Sequence, residues 1–182
     1  MQSASLRGAP ALLIVLLLCT GCGSSEGGSS KVSAGSYVKS VCSAISPLER
    51  DVVTRSSALN NSTATNATQA KQTLQGFLNA IEQDSEHAVS RIRAAGTPDI
   101  SGGKTVSGAI VRTFSQLRDA MKVAVTKSQA LPTNSASSFN SAAQTLTASV
   151  RGSLNSIDAS GLSNPDLEKA ASKEPACKSL NS

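Results

Sequence analysis

Residues Thr65 to Ala95 read TNATQAKQTLQGFLNAIEQDSEHAVSRIRAA. Their apolar side chains recur at steps of three and four residues, apart from one gap near Asp84 and Ser85. The recurring positions are Ala67, Ala70, Leu74, Phe77, Leu78, Ile81, Ala88, Ile92 and Ala95. This spacing predicts one face of a long helix. Gly96 and Pro98 predict its end, because glycine suits a left-handed cap and proline cannot continue the hydrogen bonds of a helix.

Helical spacing continues on both sides of this stretch. Apolar stripes run from Val106 to Leu131 and from Phe139 to Ile157, and neither shows the period-two alternation of a half-buried strand. A less regular stripe runs from Tyr37 to Leu59 and contains Ser46-Pro47-Leu48-Glu49, which reads as a capping box with proline at the first helical position. The first helix is therefore expected to restart or to kink at Pro47.

The chain is predicted to end in a short helix that starts at Asn164-Pro165 and reaches Ala171. Aromatic residues make up 2% of the sequence and tryptophan is missing, so the core is expected to consist of small and branched aliphatic side chains. Four main helices with short connections must bury their apolar stripes against one another. The sequence thus predicts an all-α fold, an antiparallel four-helix bundle with a short extra C-terminal helix and little or no sheet.

The N-terminus has the pattern of an export signal. Arg7 precedes an apolar run from Ala9 to Leu18, and small residues follow at Thr20 and Gly21. These features predict a secretory signal peptide, and the apolar run is too short for a permanent transmembrane helix.

The end of this segment, Cys19-Thr20-Gly21-Cys22, resembles the lipobox of bacterial lipoproteins, although Cys19 stands where the lipobox usually has leucine. The resemblance implies that residues 1–21 are removed and that the thiol of Cys22 carries a diacylglycerol. Two or more acyl chains hold a protein stably on a membrane. The expected location is the extracytoplasmic side of the cell membrane. The alternative is an ordinary secretory signal with incidental cysteines.

Residues 22–35 are expected to comprise the lipidated cysteine and a flexible linker, because GSSEGGSSKVSAG from Gly23 to Gly35 has no hydrophobic periodicity. Residues 36–182 are long enough for one domain with its own core.

Cys42 and Cys177 remain in the mature chain and are expected to form a disulfide in an oxidising compartment. Two free buried thiols and a metal site are the alternatives. A metal site is disfavoured because the sequence has a single histidine, His87, and the cysteines expected in the mature chain are not closely spaced.

A resemblance extends over the whole chain. The lipobox, the Gly/Ser linker, the Tyr-Val-x-x-Val-Cys opening at Tyr37 to Cys42 and the late Pro-Ala-Cys at Pro175 to Cys177 look like small, mostly uncharacterised lipoproteins of Gram-positive actinobacteria. The resemblance implies a location and the disulfide, and it supplies no catalytic residues.

Catalysis is not expected from this sequence, and neither is a cofactor. Nucleophilic hydrolysis needs a base beside a serine or cysteine, and His87 is the only histidine. The acidic run Glu82, Asp84 and Glu86 raises the alternative of a calcium site. Helical spacing scatters these carboxylates around the axis and no EF-hand loop is present, so a solvated helix face is the favoured reading.

Positive charge is concentrated in the third predicted helix. The formal net charge is +5, and five basic residues lie between Lys104 and Leu131 against one acidic residue, Asp119. Helical geometry puts Lys104, Arg118 and Lys122 opposite the apolar stripe. The sequence therefore suggests contact with anionic lipid headgroups or an anionic wall polymer, against the simpler reading of a solvated face. Nucleic acid is excluded by location and by the lack of basic residues interleaved with aromatic ones.

Two classes of function follow. The first is a non-enzymatic interaction module of the cell envelope, a membrane-anchored bundle that binds an envelope protein or polymer through an exposed helix face. The alternative is a carrier or binder of a small apolar ligand or lipid, held in a cleft between helices rich in small residues.

Overall fold

The computed structural model describes residues 30–181, and only the backbone of residue 181. In chain order the elements are β1 (Lys31–Val32), α1 (Ala34–Asn60), α2 (Ala67–Ala94), β2 (Thr97–Pro98), α3 (Gly103–Gln129), α4 (Ala136–Asn155), α5 (Pro165–Ala171) and α6 (Pro175–Lys178), with a final 3₁₀ turn at Ser179–Asn181. The predicted all-α bundle is confirmed. The predicted C-terminal helix is present as α5, and Pro175 begins an additional short helix, α6, which the sequence analysis did not predict.

Most helices begin where a short polar side chain caps the backbone. The capping oxygens accept hydrogen bonds from free N–H groups of the first turn. The capping residues are Ser33 for α1, Asn66 for α2, Ser135 for α4 and Asn164 for α5. Serine and asparagine side chains therefore fix the residues at which these four helices begin.

Helix α1 runs without interruption through Pro47, so the restart, one of the two predicted alternatives, does not occur. The hydroxyl of Ser46 donates to the carbonyl oxygen of Cys42 at 2.9 Å instead of capping a new helix. Pro47 has no N–H with which to close the helical hydrogen bond to Ser43. The flanking residues Ala44 and Leu48 are buried on the core side, and this burial keeps the helix continuous across the proline.

Long-range hydrogen bonds show that neighbouring helices are antiparallel. Lys71, near the start of α2, donates to the carbonyl oxygens of Gln129 and Leu131 at the end of α3, at 2.7 and 2.9 Å. Thr113, in the first half of α3, donates to the carbonyl oxygen of Asp158 just beyond α4 at 2.9 Å. The connections are short enough that each helix returns beside the one before it.

The core consists of three clusters along the bundle. The distal cluster joins α2, α3 and α4 and contains Leu78, Phe139 and Leu146. The middle cluster contains Leu48, Ile81, Ala88 and Met121. The proximal cluster, next to the first described residues, contains Tyr37, Val38, Val41, Ala44, Ile92, Val106, Leu167 and Cys177. Helix α4 covers the distal cluster, whereas α5 and α6 cover the proximal one, so the short C-terminal helices complete the fourth side of the bundle.

Tyr37 is the only tyrosine of the chain and is 1% exposed. Its hydroxyl has no hydrogen-bond partner among the described residues. Burial raises the pKa of Tyr37 to about 12, because the phenolate would lose its hydration. The ring therefore acts as an apolar side chain at the centre of the proximal cluster.

The chain enters the fold through a small backbone pairing, called here the entry clasp. Strand β1 runs parallel to β2, with Lys31 opposite Thr97. The Asp99 N–H donates to the carbonyl oxygen of Val32 at 2.7 Å, and Lys31 forms an ion pair with the Asp99 carboxylate at 3.0 Å. Within residues 30–181, regular structure starts at Lys31, ahead of the linker boundary predicted at residue 35, because the α2–α3 loop offers free backbone groups to the incoming chain.

Close approach at the entry clasp requires glycine at position 96. Gly96 has a φ of +82°, and a Cβ atom there would lie 2.6 Å from the carbonyl oxygen of Ser30. The predicted stop signal after α2 is confirmed, and this glycine also makes room for the chain entry.

Candidate functional site

The predicted disulfide is present and joins the two ends of the domain. The sulfur atoms of Cys42 in α1 and Cys177 in α6 are 2.03 Å apart. Cys177 is buried in the proximal cluster, so the disulfide attaches α6 to α1 from the core side of α6. The other predicted cysteine site, lipid attachment at Cys22, lies outside the described residues, as does the signal peptide at residues 1–21. None of the helices within residues 30–181 combines the length and apolarity needed to cross a membrane.

The basic stripe predicted on α3 is only partly present. Lys104 and Lys122 are exposed. The Arg118 side chain is 20% exposed and contacts the Glu86 carboxylate at 3.3 Å and the Asp119 carboxylate at 2.7 Å. The hydrogen bond to Asp119 raises the pKa of Arg118. The prediction that all three side chains point freely outward is therefore wrong for Arg118, which binds α3 to α2.

Once Arg118 is paired, the stripe offers two lysines separated by 18 residues of α3, which is about 27 Å along a helix axis. Two cations that far apart do not form one anion site. The spacing rule placed the three residues on one side of the helix correctly, but it contained no information about Glu86 on the neighbouring helix.

The acidic run on α2 separates into different environments. Glu86 is exposed and faces Arg118, whereas Asp84 faces α1. Within residues 30–181 there is no group of three or more histidine, cysteine, aspartate or glutamate side chains that could hold a metal ion. His87 is exposed on the surface of α2.

Asp84 forms a carboxyl pair with Asp51 of α1 that the sequence analysis missed. The two carboxyl groups are close enough for each to shift the pKa of the other. Burial, followed by the charge of Asp51, raises the pKa of Asp84, and its Oδ2 atom is buried without a donor among the described residues. The hydrogen bond from Arg55, at 2.9 Å, lowers the pKa of Asp51. No spacing rule links residues 51 and 84, because only the register of α1 against α2 brings them together.

The Asp84→Asn variant is expected to raise the free energy of unfolding by about 1 kcal/mol at pH 7, since the neutral amide removes a partly buried negative charge that lies beside Asp51. A raised pKa in the folded state costs stability above that pKa, and the cost disappears below the unfolded value near 3.9. The gain should therefore vanish near pH 3. Urea unfolding of both proteins at the two pH values measures it.

Glu82→Gln is the matched control, because it removes one negative charge from the same helix. The control should leave the pH dependence of stability unchanged. An equal gain from Glu82→Gln, or a gain from Asp84→Asn that persists at pH 3, would contradict the carboxyl-pair explanation.

Several surface grooves flank helix α1, and two of them are candidate sites. The larger, called the α1–α6 groove, has a volume of about 730 Å³ and is lined by Ser43, Ser46, Pro47, Glu49, Arg50, Val53, Thr54, Ala176 and Ser179. Val53 is 62% exposed. The α1–α6 groove thus combines exposed apolar surface with charged groups.

The second, called the α1–α2 groove, has a volume of about 360 Å³. It is lined by Lys39, Ser40, Ser43, Arg91, Ala94 and Ala95. The sequence analysis did not select Lys39 or Arg91, because they lie far apart in the chain and only the packing of α1 on α2 brings them to one groove. A strongly basic pair of this kind is a candidate anion-binding surface.

Comparison with known proteins adds no assignment. The chain matches no protein-family profile, no curated protein sequence and no solved structure.

Proposed function

We propose that this chain is a lipoprotein anchored through Cys22 on the extracytoplasmic side of the cell membrane, whose helical domain binds another component of the cell envelope and catalyses no reaction. The Cys42–Cys177 disulfide is the observation that carries the proposal. Structural disulfides persist in oxidising compartments and are rare in the cytosol. The apolar run at Ala9 to Leu18 and the lipobox-like segment ending in Cys22 support the same location.

The α1–α6 groove supports a role in binding. Exposed apolar surface beside polar groups is typical of sites that contact another macromolecule. Val53 and Pro47 supply the apolar part of the groove, and Glu49 and Arg50 supply charged groups that favour a correctly oriented partner. An envelope protein is therefore the favoured partner for this groove.

A carrier of a small apolar ligand or lipid is the second candidate, because the volume of the α1–α6 groove falls in the range of ligand pockets. Native mass spectrometry of the chain from residue 23 to 182, which contains every described element, separates the two candidates. A reproducible lipid-sized adduct favours the carrier. A protein free of adduct favours the interaction module.

The anchor is tested with the full chain, produced in a bacterium that processes lipoproteins. The wild-type protein is expected in the membrane fraction, with an intact mass equal to the chain from Cys22 plus a diacylglycerol. Cys22→Ala should lose at least about nine-tenths of its membrane association, since the thiol is the attachment point for chains that bind by about 0.8 kcal/mol per buried methylene.

Cys19→Ala is the matched control for this experiment. It changes a cysteine three residues away and should leave the mature mass and the membrane fraction as in the wild type. A Cys22→Ala protein that is still processed and still resists extraction from the membrane would overturn the proposed anchor.

A further inference from the structure

The α1–α2 groove carries two positive charges and no negative ones among its lining residues. Lys39 and Arg91 are both exposed, and neither forms an ion pair with any residue between 30 and 181. By contrast, Lys31 is paired with Asp99 and Arg118 with Glu86. The charges of the groove therefore remain available to a ligand.

The chemistry of the lining residues suits phosphate oxygens. Lysine and arginine donate hydrogen bonds and cannot accept them, and charge-assisted bonds from these groups to phosphate are among the strong ones in proteins. Ser40 and Ser43 add two hydroxyl donors from α1. Ala94 and Ala95 line the groove on the α2 side with small side chains. Both cations therefore line a groove of about 360 Å³, which is larger than a phosphate group.

The groove lies at the end of the bundle where the chain enters. Lys39 is five residues after the start of α1 at Ala34, and Arg91 is three residues before the end of α2 at Ala94. These separations correspond to about 8 and 5 Å along the helix axes. The Thr97 N–H, just after α2, donates to the Ser30 carbonyl at 3.1 Å, so the groove and the chain entry are neighbours.

The proposed anchor would hold this end near a membrane. Ser30 is eight positions after Cys22 in the chain. A chain of that length spans at most about 28 Å. Attraction between basic residues and an anionic bilayer acts over about one Debye length, roughly 10 Å at 0.1 M salt. The groove is therefore within reach of headgroups around the anchor.

We propose that the α1–α2 groove binds the phosphate headgroups of anionic lipids in the membrane that carries the anchor, with Lys39 and Arg91 as the contacting residues. This inference rests on the proposed function for the source of the lipid. It replaces the α3 stripe as the basic contact surface, because the charge of Arg118 is already paired, while Lys39 and Arg91 share one groove.

The experiment uses the chain from residue 23 to 182, without a lipid anchor, so that binding by the groove is measured separately from anchoring. Flotation with vesicles of phosphatidylglycerol and phosphatidylcholine is compared with flotation on phosphatidylcholine alone, at about 0.1 M salt. The wild type should bind only the anionic vesicles. Lys39→Gln combined with Arg91→Gln should weaken that binding roughly 25-fold, about fivefold for each basic residue.

Lys122→Gln combined with Lys127→Gln is the matched control. It also removes two positive charges, but from the half of α3 near the distal cluster, and it should weaken binding less than threefold. Because all four side chains are exposed, circular dichroism melting curves should coincide for the three proteins.

Three outcomes would overturn the inference: no binding of the wild type to anionic vesicles, an equal loss in both double variants, or full binding by the groove variant. Binding to soluble polyphosphate without binding to vesicles would also overturn it, and would identify an anionic polymer as the ligand. Cys22→Ala fractionation reports separately on the anchor, so failure of the anchor and failure of the groove are distinguishable.

Discussion

Replacing Cys42 and Cys177 together with alanine should lower the free energy of unfolding by about 3 to 5 kcal/mol. The bond spans a sequence separation of 135 residues, and a cross-link over a long loop removes much of the conformational entropy of the unfolded chain. It also holds α6 against α1, where Cys177 belongs to the proximal cluster. This is the largest single effect expected for the fold.

Denaturant unfolding of the chain from residue 23 to 182 measures this effect without interference from Cys19 or Cys22. The ultraviolet signal of Tyr37 reports directly on the proximal cluster, since the chain has one tyrosine and no tryptophan. Wild-type protein in the presence of a reductant is the control and should behave like the double variant. Equal midpoints for the oxidised and reduced wild type would contradict the prediction.

Replacing Gly103 with alanine should cost about 3 kcal/mol, the second largest effect expected. Gly103 is the first residue of α3 and is buried. A Cβ atom there would overlap the carbonyl oxygen of Pro98, which belongs to the backbone of the entry clasp. Side chains relieve crowding by changing rotamer, but a backbone carbonyl cannot do so without moving the α2–α3 loop. Overpacking of this kind destabilises by 1 to 3 kcal/mol, and occasionally by more.

Gly108→Ala is the matched control, in the same helix and with the same change of one methyl group. No atom outside its own helix lies within 4 Å of a Cβ built at Gly108. Alanine there should stabilise the protein by up to about 1 kcal/mol, because it is the better helix former. Thermal unfolding of both variants tests the pair of predictions, and a similar change in both would show that crowding at Pro98 is not the cause.

Much of the fold could be predicted because three helices follow regular apolar spacing. The predicted stretch Thr65–Ala95 corresponds to α2 at Ala67–Ala94, and the stripe from Phe139 to Ile157 corresponds to α4 at Ala136–Asn155. Helical periodicity reports the buried face directly, so it succeeds wherever one face is buried along the whole helix.

Local rules failed where tertiary contacts decide the structure. Pro47 is tolerated inside α1 because the neighbouring side chains are buried, which outweighs the local signal for a new helix start. The entry clasp consists of two strands of two residues each, and their pairing depends on the α2–α3 loop. Strands this short contain no alternation of apolar residues that could predict them.

The candidate site could be predicted only where sequence chemistry was sufficient. Cysteine counting identified the Cys42–Cys177 pair because few cysteines were available. The register between two helices decides three features that no rule for a single helix contains. They are the ion pair of Arg118 with Glu86, the carboxyl pair of Asp51 with Asp84, and the presence of Lys39 and Arg91 in one groove. One-helix geometry predicts which side a residue occupies, but not which residue of the next helix it meets.

The entry clasp also has a mechanical consequence. A pull on the chain ahead of Ser30 acts first on the pairing of β1 with β2 and on the ion pair between Lys31 and Asp99. The N-terminus of α1, capped by Ser33, lies behind that pairing and receives the load only after the strands have separated. Tension at the chain entry is therefore taken up by the loop between α2 and α3 before it can begin to unwind the first helix.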